Sequence, residues 1–137
     1  MAEGYLVKRF KDMGINDAVI VSSGTGAIPG LKPTKEAIQV MKEQGIDVSE
    51  YISSSLSKMH IQNADAILAM EPAHRERALD MVPEAKNRTY LLREFSSEDN
   101  RQTYSIHDPI GRSIEFYREI FEIIKDCIEG FLKWLKE

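Results

Sequence analysis

The sequence predicts an α/β domain: a parallel sheet covered by helices on both faces. Strand-like and helix-like patterns alternate along the 137 residues, with no internal repeat and no low-complexity stretch. The strand-like runs are AVIVS (18–22), apolar and β-branched, ADAILAM (64–70), entirely apolar after Asp65, and the short RTYLL (88–92). Such runs mark strands buried on both faces, the condition of a parallel sheet in a layered fold.

Each element has its own warrant. In residues 1–13, Ala2, Tyr5, Leu6 and Phe10, with Val7 beside them, recur at helical spacing, and Gly14 ends the helix. No Ser, Thr, Asp or Asn stands in front of it to accept from its first N–H groups. A positive α-amino group there also opposes the helix dipole. The strand 18–22 is bounded by SGTG. Pro33 and Thr34 open a helix over 34–44, with Ala37, Ile38 and Met41 on one face and Gly45 closing it. A short helix is expected over 55–62, and after the strand 64–70 and Pro72 another over 73–82. Residues 94–107 are polar and irregular, the composition of a flexible loop. The last helix, 113–136, carries Tyr117, Ile120, Ile124, Cys127, Phe131 and Leu135 as an apolar stripe, flanked by Phe121, Ile128 and Trp134. Three strands are few for two helical layers, and the opening helix has no strand before it. By periodicity the fold is one strand short.

Composition excludes several functions. The length fits one domain, 1–137, with a core that needs no disulfide. A net charge of −4 speaks against nucleic-acid binding, which needs a basic face. No apolar run approaches the roughly 20 residues of a membrane span, and the amphipathic start is not a signal peptide. With a single cysteine, Cys127, there is neither an internal disulfide nor a cysteine-cluster metal site, so a reducing cytoplasm is the expected compartment. No cofactor is implied.

Few side chains offer chemistry. Cys127 lies on the apolar stripe of the last helix, where nothing stabilises a thiolate, and reads as a core residue. His60, His74 and His107 stand at unrelated spacings, without a metal-binding pattern. The segment SSGTGAIPG follows a strand but lacks the glycine spacing and lysine of phosphate-cradling loops, so turn geometry is the better reading. The informative stretch is SIHDPIGRS, 105–113. A carboxyl on a proline-fixed loop that leads into a long helix suits a general acid, although Asp-Pro is common and, taken by itself, an Asx turn is the better explanation of Asp108.

Five pieces in order resolve that choice. They are Ser22-Ser23-Gly24-Thr25, Gly45-Ile46-Asp47-Val48-Ser49, Ala64 to Met70 followed by His74, Leu92 to Phe95, and Asp108-Pro109-Ile110-Gly111-Arg112-Ser113 with Tyr117 downstream. Along almost its whole length the chain resembles the low-molecular-weight protein tyrosine phosphatases. The resemblance implies a three-layer, doubly wound α/β fold and hydrolysis of phosphomonoesters through a cysteinyl-phosphate. In that chemistry a thiolate attacks phosphorus, and a Cys-x5-Arg loop holds the phosphate with backbone N–H groups and the arginine. An aspartic acid protonates the leaving oxygen and then activates water. By match to the motif, Asp108 is the acid, Ile110 lines the substrate mouth, and Ser22 braces the phosphate loop.

The departures are equally specific. No cysteine is followed by an arginine six residues later; position 133 is Lys. The family's frequent histidine before the third helix corresponds to Tyr51, and a following basic position to Ser54. The resemblance implies that a central first strand and the phosphate loop belong ahead of Met1, so the chain is expected to be truncated and, as it stands, inactive. Loss of that strand leaves two hydrophobic edges, compensated by a rearranged sheet or by strand or helix exchange in a homo-oligomer. Two other readings remain: a non-catalytic binding or dimerising module, and an arsenate reductase relative, which would need further redox cysteines. The substrate of an intact relative, whether phosphotyrosine, phosphoarginine or a small phosphate ester, depends on the absent loop.

Overall fold

A computed structural model describes residues 1–98 and 104–137. Part of the expected 94–107 loop, residues 99–103, lies outside the described residues. The order is α1 (Ala2–Asp12), α2 (Lys35–Glu43), α3 (Lys58–Asn63), β1 (Ile67–Ala69), α4 (Pro72–Met81), β2 (Thr89–Leu91) and α5 (Ile114–Leu135). Short 3-10 helices, Pro83–Arg88 and Leu92–Phe95, flank β2.

Helix ends follow sequence chemistry. The side chains of Thr34, Ser57 and Ser113 accept from the N–H groups of Ala37, His60 and Phe116, so α2, α3 and α5 each begin with a cap. No side chain caps α1, as its sequence implied. Gly14 and Gly45 adopt positive φ, 74° and 76°, just past α1 and α2. There the N–H of Ile15 reaches the carbonyl of Phe10, and that of Ile46 reaches Met41, the bonding of a Schellman stop.

β1 and β2 pair in parallel, with Ile67 opposite Thr89, Leu68 opposite Tyr90 and Ala69 opposite Leu91. The α/β class with a parallel sheet stands. The strand expected at 18–22 does not form, and the expectation that it is buried is corrected too: Val19 is 89% and Val21 58% exposed. Among the described residues no backbone N–H or C=O of 18–22 meets another backbone group, and a strand without a partner is merely extended chain. Pairing begins two residues later, where Gly24 bridges Ser55 in parallel.

The main core lies along α5. Tyr117, Ile120, Phe121, Ile124, Cys127, Ile128, Phe131 and Leu132 are buried, and most of them pack with Tyr5 of α1, Val40 and Met41 of α2, and Ile46, Val48, Leu92 and Ile106. Tyr5 meets Phe121 edge to face at 5.7 Å. The stripe ends three residues sooner than its spacing implied, with Leu132 buried and Leu135 exposed. A second cluster of Ile61, Ala78, Val82 and Ala85 joins α3, α4 and the following turn.

Candidate functional site

The segment carrying Asp108 is fastened at both ends. Ile106 is buried, and its N–H donates to the carbonyl of Met70 at 2.8 Å, tying the segment to the end of β1. Pro109 is buried, and the N–H of Arg112 closes a turn onto its carbonyl at 2.9 Å. Gly111 supplies the positive φ, 79°, that this turn needs. Ser113 then caps α5, whose first turn is reinforced by the Arg112 guanidinium 4.2 Å above the Phe116 ring. The loop is a rigid shelf at the start of a core helix.

On that shelf Asp108 and Ile110 face solvent. One carboxylate oxygen, Oδ1, accepts from the N–H of Ile110 at 3.1 Å. This is the Asx turn weighed above. It fixes the carboxyl while leaving a face open to a ligand, so the turn and an acid role are compatible. Around it, Glu71 lies 3.6 Å from His74 Nε2 and 3.9 Å from His107 Nδ1, charged contacts only when an imidazole is protonated.

Ser22 stands in a different hydrogen-bonding system. Its hydroxyl donates to Glu3 Oε1 of α1 at 2.7 Å, and its carbonyl accepts from the Ser54 hydroxyl at 2.8 Å. The neighbouring serines serve the same loop. Ser53 Oγ accepts from the Leu31 N–H at 3.0 Å and donates to the Ile28 carbonyl, while Ser55 Oγ donates to the Ala27 carbonyl at 3.3 Å. Sequence reasoning does not single out this serine run, 53–55. Its signal was there: three adjacent hydroxyls facing a glycine-rich loop supply the donors and acceptors that such a loop lacks. Also missed was Glu3, the partner of Ser22, and the bond from the Thr34 hydroxyl to the Tyr117 hydroxyl at 2.9 Å, which ties the start of α2 to α5.

Cys127 is fully buried, and burial pushes its thiol up to about 11, so it holds a proton at neutral pH. Burial also pushes the α-amino group of Met1, at the head of α1, below its ordinary value, against the opposing pull of Glu3. Among the described residues no group of three His, Cys, Asp or Glu side chains could hold a metal ion, and no helix is long and apolar enough to cross a membrane.

Comparison with known proteins bears directly on this arrangement. The chain is 34% identical over 117 residues to a protein-arginine-phosphatase of Geobacillus stearothermophilus, a match covering 85% of this chain and 76% of the relative. It is 27% identical over 106 residues to the low molecular weight protein-tyrosine-phosphatase Wzb of Escherichia coli, covering 77% of this chain and 69% of that protein. Among solved structures, the YwlE arginine phosphatase of Geobacillus stearothermophilus superposes with a TM-score of 0.82 at 31% identity, over 98% of this chain and 82% of that one. The family model of low molecular weight phosphotyrosine protein phosphatases matches residues 1–137, and the chain belongs to that family.

Proposed function

We propose that this chain carries the acid half of a phosphomonoester hydrolase, with Asp108 as the group that protonates the leaving oxygen. The observation that supports this reading best is the shelf itself. A carboxyl held by one oxygen to the Ile110 N–H, on a loop tied to β1 and to α5, is preorganised for proton transfer. Ile110, 64% exposed beside it, lines the mouth that receives the phosphorylated side chain. Ser22 braces the phosphate-binding loop; here its hydroxyl donates to Glu3 at the start of α1. The substrate class is a phosphorylated protein side chain, since the relatives are arginine and tyrosine phosphatases by name. The single cysteine favours a cytoplasmic setting.

The nucleophile and the phosphate clamp are not among these 137 residues. Cys127 cannot replace the nucleophile: it is buried and protonated, and no arginine stands six residues after it. A lone general acid contributes about 10² to 10⁴-fold, far short of the acceleration that a thiolate and an arginine clamp add. The 137-residue polypeptide alone is therefore inactive, and activity requires an apolar strand and a Cys-x5-Arg loop supplied ahead of α1. The test joins such a strand and loop to Met1 and assays p-nitrophenyl phosphate, phosphotyrosine and phosphoarginine peptides. The extended chain should turn over, and Asp108→Asn should lower kcat by about 10² to 10⁴-fold. Turnover by the 137-residue chain alone, or an extended chain indifferent to Asp108→Asn, defeats the reading.

A second reading has its own support in the exposure of Val19 and Val21. A non-catalytic module that self-associates through this unpaired segment would bury both, and light scattering decides it. An arsenate reductase role ranks last, because its redox chemistry needs thiols beyond the single buried Cys127.

A further inference from the structure

Away from the Asp108 loop, Tyr90, Leu91, Glu94, Phe95, Tyr104 and Trp134 line an open cleft of about 620 Å³. Its rings stand at steep angles to one another. Tyr90 and Trp134 are 5.2 Å apart at 65°, Phe95 and Trp134 5.5 Å at 55°, and Tyr90 and Phe95 6.0 Å at 67°. Trp134 and Tyr104 remain 42% and 45% exposed, an unusual expanse of aromatic surface to leave in water. Glu94 is the one charged group among the described residues of the lining; it is exposed, and among the described residues it has no ion-pair partner.

We propose that this cleft is a docking site for an arginine side chain of a partner polypeptide, with the guanidinium stacked against the aromatic wall and its N–H groups donated to Glu94. Aromatic faces attract cations, tryptophan most strongly, and a planar, weakly hydrated guanidinium stacks on them better than a compact ammonium. A carboxylate beside the wall adds paired, charge-assisted hydrogen bonds of matching geometry. An apolar occupant fits less well, because it strips water from Glu94 and returns no donor. The combination of Trp, Tyr and a complementary arginine is also the one that concentrates binding energy at protein interfaces. None of this depends on Asp108 or on the catalytic reading.

Trp134 is the only tryptophan in the chain, so its emission reports on this cleft alone. The chain is titrated with acetyl-Ala-Arg-Ala-amide and with its citrulline counterpart, the neutral isostere, at constant ionic strength. The arginine peptide should give a saturable change in Trp134 emission and bind about fivefold more tightly than the citrulline peptide, and Glu94→Gln should erase most of that difference. Circular dichroism of the variant checks that its fold is intact, as the exposure of Glu94 predicts. Equal binding of the two peptides, indifference to Glu94→Gln, or no saturable response to arginine overturns the proposal.

Discussion

Gly130 shows how much can rest on one missing methyl group. It lies inside α5, where alanine would ordinarily be favoured by about 1 kcal/mol. A Cβ at this position would collide with the carbonyl oxygen of Phe95 and come 3.0 Å from its carbonyl carbon. A backbone carbonyl cannot swing aside as a flexible side chain can. The turn that carries it is also held to α5 by Asp126, whose carboxylate accepts from the Ser96 hydroxyl and from both the N–H and hydroxyl of Ser97. Burial, the largest single effect, would raise that carboxyl, but the bonds from Ser97 and Ser96 and the positive charge of Arg93 together outweigh it and leave it below its usual range. Overpacking therefore exceeds the gain in propensity, and Gly130→Ala should destabilise by about 2 kcal/mol in urea unfolding. Gly26, with nothing within 4 Å and no positive φ, is the control, and its alanine variant should stay within about 0.5 kcal/mol of the parent.

Among elements, the contact between α1 and α5 mixes core and charge. Tyr5 packs on Phe121, while Arg9 donates to both carboxylate oxygens of Glu129, at 3.0 and 2.9 Å. The hydrogen bond from Arg9 holds the Glu129 carboxyl below its ordinary value, against a smaller opposing effect of burial. A carboxyl depressed on folding contributes stability above its unfolded value, about 4.3, and loses that contribution as pH falls through the folded one. Both partners are partly exposed, 27% and 40%, so water screens the pair and its worth stays below about 1 kcal/mol. The parent chain should accordingly exceed Glu129→Gln in stability at pH 7 by a fraction of 1 kcal/mol, and the two should converge in acid. A gap that persists unchanged in urea unfolding at about pH 2.5 would assign the difference to packing instead.

These elements also mark what the sequence could reveal. Thr34, Ser113, Gly14 and Gly45 act within one helical turn of themselves, so the helix boundaries were legible from local chemistry. The Asp108 turn was legible for the same reason, its Asp-Pro-x-Gly pattern being bonded within five residues. The strand at 18–22 was not. Its apolar pattern states a preference for burial, but a strand exists only when another backbone lies beside it, and that partner is a nonlocal fact. The bond from Ser22 to Glu3 crosses 19 residues and was illegible for the same reason.

At the scale of the whole molecule, order is unevenly distributed. α5 gathers the buried core, whereas the segment 18–22 has no backbone partner among the described residues and holds Val19 and Val21 in water. Such an edge is a template for another strand. Two copies can satisfy it symmetrically. An antiparallel pair centred on Ile20 sets Val19 opposite Val21 and Asp17 opposite Ser23, burying the valines as cross-strand pairs with no like charges facing. Amide exchange should therefore depend on concentration. In dilute solution the amides of 18–22 should exchange almost as in an unfolded chain, while those in the middle of α5 open only with global unfolding. At high concentration protection should appear at 18–22 together with a doubled mass by light scattering. Val19→Lys should abolish both changes without altering the unfolding midpoint of the dilute chain, because Val19 makes so little contact in the monomer. A chain that stays monomeric at high concentration, with 18–22 unprotected throughout, excludes self-association through this edge.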